Sequence, residues 1–253
     1  MIKKLPLAIA LLGAIAAFQP ALAAEEKGAA PHWGYAGHAG ADKWGDLQSD
    51  YATCKLGKEQ SPIDIRGAQK ADLPAIGFAY TPSPAEVVNN GHTVQVNLKG
   101  GGNATLPTGG YQLLQFHFHT PSEEKIAGQV YPLVAHLVHR NAEGKLAVVA
   151  VLFKEGRENA ALASVFAAMP AKAEQSAPLK ADFNVSDLLP KEQGYYAFVG
   201  SLTTPPCSEG VRWQVLKQPV EISKAQLAAF RKLYPMNARP VQPLGSRVVQ
   251  ESR

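Results

Sequence analysis

The sequence has only two cysteines, no strong excess of either charge and no long apolar run beyond its N-terminus. The formal net charge of +4 comes without a basic stripe, so the composition argues against nucleic-acid binding. After residue 18 no stretch is apolar enough to cross a bilayer, which argues against stable membrane insertion. No internal repeat or low-complexity linker divides the chain, and its length suits one domain with a sizeable core.

The N-terminus has the pattern of a secretory signal. Lys3 and Lys4 precede an apolar run over 5–18, which is too short to span a bilayer, and a small-residue cleavage motif follows. We expect residues 1–23 to be a cleaved signal peptide and residues 24–253 to be the mature domain. Loss of the two lysines lowers the formal charge from +4 to +2 (4 − 2). The alternative is an uncleaved membrane anchor.

The two cysteines, Cys54 and Cys207, favour a disulfide, because secreted chains with an even cysteine count usually pair them. The alternative is two unpaired buried thiols. Neither cysteine has metal-ligand spacing with a second one, so any metal site must rest on other residues.

Short β-rich segments dominate the chain, separated by Gly, Pro and Asn clusters. Two helices are predicted, over 160–168 and over 224–233, the second with Ser223 as its N-cap. The glycine-rich stretch 100–110 lacks the Lys-Ser/Thr of a P-loop and reads as a hairpin loop. The predicted strands cover residues 85–88, 94–98, 113–119, 133–139, 146–153, 195–200 and 211–216.

The most informative motif is the run Gln-Phe-His-Phe-His that ends at His119. Side chains alternate along a strand, so His117 and His119 share one face, and a third histidine, His136, follows in a neighbouring strand-like run. A lone histidine on such a face is usually a satisfied core residue. Three neutral imidazoles on facing strands instead predict an open zinc site with a fourth position left for water, which indicates hydrolytic or hydration chemistry.

Around this motif the chain resembles the alpha-class carbonic anhydrases, in the compact form of the bacterial periplasmic branch. The matching blocks follow one another in family order from His32 to Arg247. They are the histidine run itself, His32-Trp33-Gly34-Tyr35, Gln60-Ser61-Pro62-Ile63-Asp64-Ile65, Asn89-Asn90-Gly91-His92, the stretch from Gly200 to Trp213, and the stretch from Asn237 to Leu244.

The resemblance implies a mostly β, α+β fold of one domain, with a large, mostly antiparallel twisted sheet and small peripheral helices. It implies a periplasmic zinc enzyme that converts CO2 and water reversibly into bicarbonate and a proton, by attack of zinc-bound hydroxide and with a histidine as proton shuttle. The metal ligands carry over as His117, His119 and His136. A homodimer is expected by analogy with bacterial members.

The resemblance also implies roles for loop residues. Thr203 would orient the nucleophile by accepting its hydrogen bond and donating one to Glu123, and Thr204 would face the product. His92 matches the proton shuttle, for which a pKa near 6.5 is suitable. Taken alone, Thr203, Glu123 and His92 could equally be ordinary turn, loop and surface residues.

An apolar substrate needs an apolar waiting place. The resemblance places that wall at five residues, for which plain sheet core is the alternative reading. They are Val138, Val148, Leu202, Val211 and Trp213.

The chain departs from the family pattern beside the third ligand. Gln115 matches the residue that holds one ligand through its second ring nitrogen, but Val134 stands where a glutamate usually holds His136. Glu124 in turn stands where many members have a histidine. We hypothesise that Glu124 orients His136 from the other side, the alternative being a water or a backbone carbonyl. A second departure, Phe198 in place of a common tyrosine, should matter little.

Two other functions stay open at this point. One is a catalytically silent zinc-binding module of the same fold, although such relatives typically lack a ligand. The other is a zinc esterase, which would need an acyl pocket that the sequence does not indicate.

Overall fold

The structure is a computed structural model that describes Met1 and residues 32–253. Apart from Met1, the predicted signal peptide therefore lies outside the described residues. Within the described part of the chain, no helix is long and apolar enough to cross a membrane. Residues 32–253 belong to one compact unit.

Strands make up most of the regular structure. In chain order they are β1 (Asp64–Ile65), β2 (Gln69–Ala71), β3 (Gly77–Tyr80), β4 (Ala85–Asn89), β5 (Val94–Leu98), β6 (Gly102–Leu106), β7 (Gly109–His119), β8 (Lys125–Ile126), β9 (Leu133–Arg140), β10 (Leu146–Glu155), β11 (Gln175–Pro178), β12 (Tyr195–Ser201), β13 (Glu209–Leu216), β14 (Val220–Ile222) and β15 (Gln250–Ser252).

The helices are short and lie outside the sheet. The α-helices are α1 (Trp44–Leu47), α2 (Thr53–Leu56), α3 (Ala160–Ala168) and α4 (Lys224–Leu233), and single 3₁₀ turns occupy Gly37–Ala39, Ser49–Tyr51 and Val185–Leu188. The longest helix, α4, begins with a capping box in which Ser223 and Gln226 satisfy each other's backbone N–H groups.

One large sheet contains thirteen of these strands, with the main path β11-β4-β5-β7-β9-β10-β13-β12-β15-β2. Most neighbours run antiparallel; β10 pairs in parallel with β13 and β14, and β15 with β2. β3 and β6 extend the edge beside β7, and β1 and β8 form a separate parallel pair. The predicted fold class, a mostly antiparallel sheet with small helices around it, is confirmed.

The seven predicted strands and two predicted helices are all present, some strands extending further than expected. Residues 100–110 do form a hairpin, as predicted, but its loop is much shorter than the glycine-rich stretch indicates. That stretch holds strand β6 and the start of β7, joined by a tight turn at 107–108. Strand β6 is not predicted from the sequence because it buries only two apolar side chains, Ala104 and Leu106, which alternate with more exposed residues.

The two faces of the sheet differ in chemistry. One face carries the main core, which α3 and α4 cover through Leu162, Val165, Leu227 and Phe230. The opposite face carries a second, smaller apolar cluster that includes Val134, Val138, Val148 and Trp213. The three histidines of interest lie on this second face.

A β-bulge in β7 between Leu113 and Gln115 reverses the alternation part-way along the strand. Leu113 therefore joins Phe116 and Phe118 in the main core. Beyond the bulge, Gln115 and the histidines that follow it turn to the other face. The bulge thus places the two histidines of β7 on the same face as Val134 and Val138.

Candidate metal centre

Three histidine side chains converge where β7 and β9 pair. His117 stands directly opposite His136 in the antiparallel register, and His119 lies one alternation further along β7. One nitrogen from each of the three rings lies within 4.8 Å of the other two. The ring centroids of His119 and His136 are 4.8 Å apart.

Each of the two histidines on β7 is held through one of its ring nitrogens. His117 Nδ1 lies 2.9 Å from Oε1 of Gln115, two residues earlier on the same strand. His119 Nδ1 donates to the backbone carbonyl of Asn237 at 2.7 Å. Each contact leaves Nε2 directed at the shared centre, because imidazole has only two ring nitrogens.

The third histidine is held by a carboxylate. His136 Nε2 lies 3.1 Å from Glu124 Oε2, and both side chains are buried. Val134, fully buried two residues before His136, offers no hydrogen-bonding group. The backbone of Glu124 is held in turn, since Ser122 Oγ donates to its carbonyl at 2.8 Å. The contact expected between Glu124 and His136 is therefore present in the structure, and it leaves Nδ1 of His136 for the centre.

Electrostatics keep two of the rings neutral. Burial and the nearby His136 lower the pKa of His117 to about 3, and the same causes hold the pKa of His119 well below its ordinary value. Burial alone would lower the pKa of His136 as well, but Glu124 and Glu123 outweigh it and raise that pKa. Neutral imidazole is the form that binds a metal ion.

These residues fit a metal ion. Nε2 of His119 is a buried polar atom with no hydrogen-bond partner among the described residues, which is costly unless something else occupies it. Three imidazole nitrogens suit a transition metal of the zinc type rather than a hard cation.

Comparisons with known proteins match this geometry. The model of the eukaryotic-type carbonic anhydrase family matches residues 39–253. The chain belongs to the carbonic anhydrase family. A carbonic anhydrase of Neisseria gonorrhoeae is 47% identical over 234 residues, which cover 91% of this chain and 92% of the relative.

Two solved structures of the carbonic anhydrase fold frame the comparison. The alpha-carbonic anhydrase of Thermovibrio ammonificans with the inhibitor sulfanilamide aligns with a TM-score of 0.85 at 47% identity, covering 88% of this chain and 99% of that one. Dioscorin complexed with ascorbate aligns with a TM-score of 0.81 at 30% identity, covering 87% and 97%. Dioscorin shares this fold under a different name, so the fold alone does not establish the activity. The activity must be argued from the residues of the site.

The predicted pair of Thr203 and Glu123 lies beside the centre of this carbonic anhydrase. Glu123 is buried, and its Oε1 accepts the backbone N–H of Arg239 at 2.8 Å. Burial raises the pKa of Glu123 to about 8, against the opposing effects of His136 and of the nearby Thr203 hydroxyl. Oε2 of Glu123 has no hydrogen-bond partner among the described residues. The hydroxyl of Thr203 lies against this carboxyl, where it acts to lower the pKa of Glu123. The orienting hydrogen bond from Thr203 to Glu123 stays a prediction.

The predicted shuttle, His92, lies in the turn between β4 and β5. Its ring stacks on Trp33 with centroids 3.6 Å apart and planes 5° apart, and the exposed His32 stacks at 5.1 Å. Partial burial and His32 lower the pKa of His92, while Glu174 opposes them.

The five residues predicted to form the apolar wall are brought together in the second apolar cluster. Val148 stands opposite both Val138 on β9 and Trp213 on β13, so the register places them side by side. The Trp213 ring lies edge-on to His136 with centroids 4.9 Å apart. The wall therefore adjoins the metal centre. Phe198 stands opposite Trp213 on the neighbouring strand β12, and its ring stacks parallel to that of Trp213.

The predicted disulfide between Cys54 and Cys207 is present. The disulfide connects α2 to the loop that carries Thr203 and Thr204. Thr204 is half-buried, and its backbone carbonyl accepts the N–H of Cys207 at 2.8 Å.

The sequence predicted no role for two residues of the site, Asn237 and Arg239, which appear there only as part of a matching block. Asn237 supplies the carbonyl that holds His119, and Arg239 supplies the N–H that holds Glu123. Both contacts are made by the backbone and join residues more than 100 positions apart, so no local pattern announces them. Only the block match from Asn237 to Leu244 pointed to this segment.

Proposed function

We propose that this carbonic anhydrase binds one Zn²⁺ at His117, His119 and His136 and catalyses the reversible hydration of CO2. The observation that supports the proposal most strongly is the arrangement of the three rings. Each offers one nitrogen to a common point, while a protein group holds the other nitrogen. This is the composition of an open three-histidine zinc site.

The bound ion would supply a hydroxide nucleophile near neutral pH, because zinc lowers the pKa of water from about 15.7 to about 7. Thr203 would accept the hydrogen bond of the nucleophile at Oγ1 and donate its own O–H hydrogen bond to Glu123. Glu123 can accept because one of its oxygens is free and the other is held by Arg239. The pair would thus orient the nucleophile rather than take its proton, and Thr204 would face the product.

CO2 is apolar and would wait against the wall of Val138, Val148, Leu202, Val211 and Trp213. Four of these side chains are buried and Leu202 packs against them partly buried, which supports the role. An apolar surface of this kind suits an apolar molecule. The edge-on contact of Trp213 with His136 would keep that waiting place close to the nucleophile.

His92 would carry the released proton to solvent. Its lowered pKa keeps the ring neutral, and so able to accept a proton, to a lower pH than an ordinary histidine. Its place between the interior and the exposed His32 supports an exit path at the rim.

Glu124 and Gln115 would position the ligands. Glu124 would replace the missing carboxylate at position 134, reaching His136 from the loop after β7 instead of from β9 itself. Such partners fix the tautomer and orientation of a ligand ring.

A direct test is CO2 hydration by zinc-quantified protein as a function of pH, before and after chelation. We expect a rate that rises through a pKa near 7, disappears with the metal and returns with added Zn²⁺. Full zinc occupancy without hydration would contradict the proposal and favour a silent binding module. Ester hydrolysis in the same preparation that exceeds CO2 hydration would favour the esterase.

We also propose export to the periplasm with removal of residues 1–23. The disulfide supports an oxidising compartment. The N-terminal sequence of the mature protein would test the cleavage site. The homodimer stays a prediction, which light scattering during size exclusion would decide.

A further inference from the structure

The side chain of Asn237 connects two parts of the site that have different tasks. Asn237 is fully buried on the segment after α4. Its amide oxygen accepts the N–H of Thr120 at 2.8 Å, and its amide nitrogen donates to the carbonyl of Phe118 at 2.9 Å. These two backbone groups flank the ligand His119. The side chain therefore clamps the ligand end of β7.

The same amide nitrogen makes a second contact, outside that strand. Nδ2 of Asn237 donates to the backbone carbonyl of His92 at 3.1 Å. One planar amide thus spans from the ligand strand to the turn of the proposed shuttle. Both donor hydrogens and the acceptor oxygen are used, so no atom of the amide is free for another role.

The shuttle turn has other anchors as well, because the ring of His92 stacks on Trp33 and the hydroxyl of Thr93 accepts the N–H of Phe118 at 3.3 Å. Asn90 Oδ1 accepts the N–H groups of His92 and Thr93, but these contacts lie within the turn and do not fix it against the site. The hydroxyl of Thr93 also donates to the carbonyl of Phe118. The Phe118 carbonyl is therefore the point at which turn, ligand strand and Asn237 meet.

We propose that the side chain of Asn237 is a positioning residue that holds the proton-shuttle turn at a fixed place relative to the metal ligands. The inference rests on the proposed function, because it assumes that His92 carries the proton. It gives the side chain a task separate from the backbone carbonyl, which holds His119 whatever side chain is present. The distance between a proton donor and its acceptor sets the transfer rate, so a loosened turn should slow proton release.

The test compares Asn237→Asp with wild type under zinc-saturated conditions. The aspartate keeps an oxygen for the Thr120 N–H but points a second oxygen at the carbonyls of Phe118 and His92. We expect kcat to fall about tenfold, within the roughly 100-fold that a misplacement of about 1 Å can cost. The ratio kcat/KM should change much less, because proton release follows the hydration steps that this ratio reports.

Added imidazole provides the readout that a purely structural role would not move. It accepts the proton directly and should restore kcat in Asn237→Asp, as it should in His92→Ala. The matched control is Asn184→Asp. Among the described residues Asn184 uses only its oxygen, as acceptor for the Ser186 N–H, and its neighbours Phe183 and Val185 belong to the main core on the opposite face of the sheet. That variant should show unchanged kcat and no imidazole effect.

Several results would overturn the inference. Equal losses in kcat and kcat/KM without imidazole rescue would show that the Asn237 side chain positions only the metal-binding strand and not the shuttle turn. An unchanged kcat in zinc-loaded Asn237→Asp would remove any positioning role. Failure of both Asn237→Asp and the milder Asn237→Ser to fold would show a structural residue instead. Wild-type protein without zinc-dependent hydration would refute the proposed function and not this inference in particular.

Discussion

Two histidines on β9 show how the two faces of the sheet differ. His136 points to the metal face, where Glu124 holds one nitrogen and the other faces the centre. His139, three residues later, points to the opposite face, where its Nε2 pairs with the hydroxyl of Tyr80 at 2.7 Å inside the main core. The same residue type on one strand is thus a candidate ligand on one face and a structural group on the other.

The environment decides the difference. Two carboxylates face His136 and raise its pKa, whereas burial among apolar side chains lowers the pKa of His139 to about 4. A histidine on a strand becomes a metal ligand only where other ligands and a holding group share its face. Changes on the two faces should therefore separate metal chemistry from folding stability.

The largest effect is expected on the metal face. His136→Ala should abolish stoichiometric zinc binding and reduce CO2 hydration to background, because two imidazoles leave the ion without its third protein ligand. Zinc content and hydration rate check this, with the exposed His38→Ala as the matched control. Activity at full zinc content in His136→Ala would contradict the assignment of His136.

The next largest effect is a loss of stability, expected at Leu137, which follows His136 in the chain but points to the main core. Leu137 is fully buried in the main core, so Leu137→Ala should lower the free energy of unfolding by about 2–5 kcal/mol. The hydration rate per zinc-loaded molecule should stay close to wild type. A denaturant titration and an assay normalised to zinc measure both quantities. Loss of specific activity in folded protein would show that the faces are not independent.

A pH effect should come from His139. Its pKa is about 4 in the folded protein and about 6.5 when unfolded, so the unfolded chain binds the proton more tightly. Stability should therefore fall as the pH decreases from about 6.5 to about 4, by about 3 kcal/mol from this group.

The double variant Tyr80→Phe/His139→Leu removes both partners of the buried hydrogen bond and should remove this part of the acid sensitivity. Unfolding titrations of variant and wild type across that pH range measure the difference. Identical pH slopes in the two proteins would show that His139 is not the group concerned.

A smaller effect is expected from Glu124. Glu124→Ala should raise the zinc dissociation rate by about 10–100-fold, because His136 loses the carboxylate that orients it. Competition with a chelator measures that rate. Adding Val134→Glu to the variant should restore part of the zinc retention, since a carboxylate then reaches His136 from β9. An unchanged rate in Glu124→Ala would refute the role of Glu124.

Much of this arrangement could be predicted from local patterns. The two-residue period of β7 predicted that His117 and His119 share one face, and Ser223 indicated the start of α4 as its N-cap. The bulge at Leu113 was not predicted, because nothing in Leu-Leu-Gln distinguishes a bulged strand from a regular one. The contacts of Asn237 were not predicted either, since they depend on how β7, the turn at His92 and the segment after α4 meet in the folded chain.

The most direct test of the account is a crystal structure of the zinc-loaded protein, with anomalous data at the zinc edge. The account predicts one strong peak bound by Nε2 of His117, Nε2 of His119 and Nδ1 of His136, with Glu124 still on Nε2 of His136. A peak elsewhere, or a His136 ring turned so that Nε2 binds the ion and Glu124 is displaced, would contradict it.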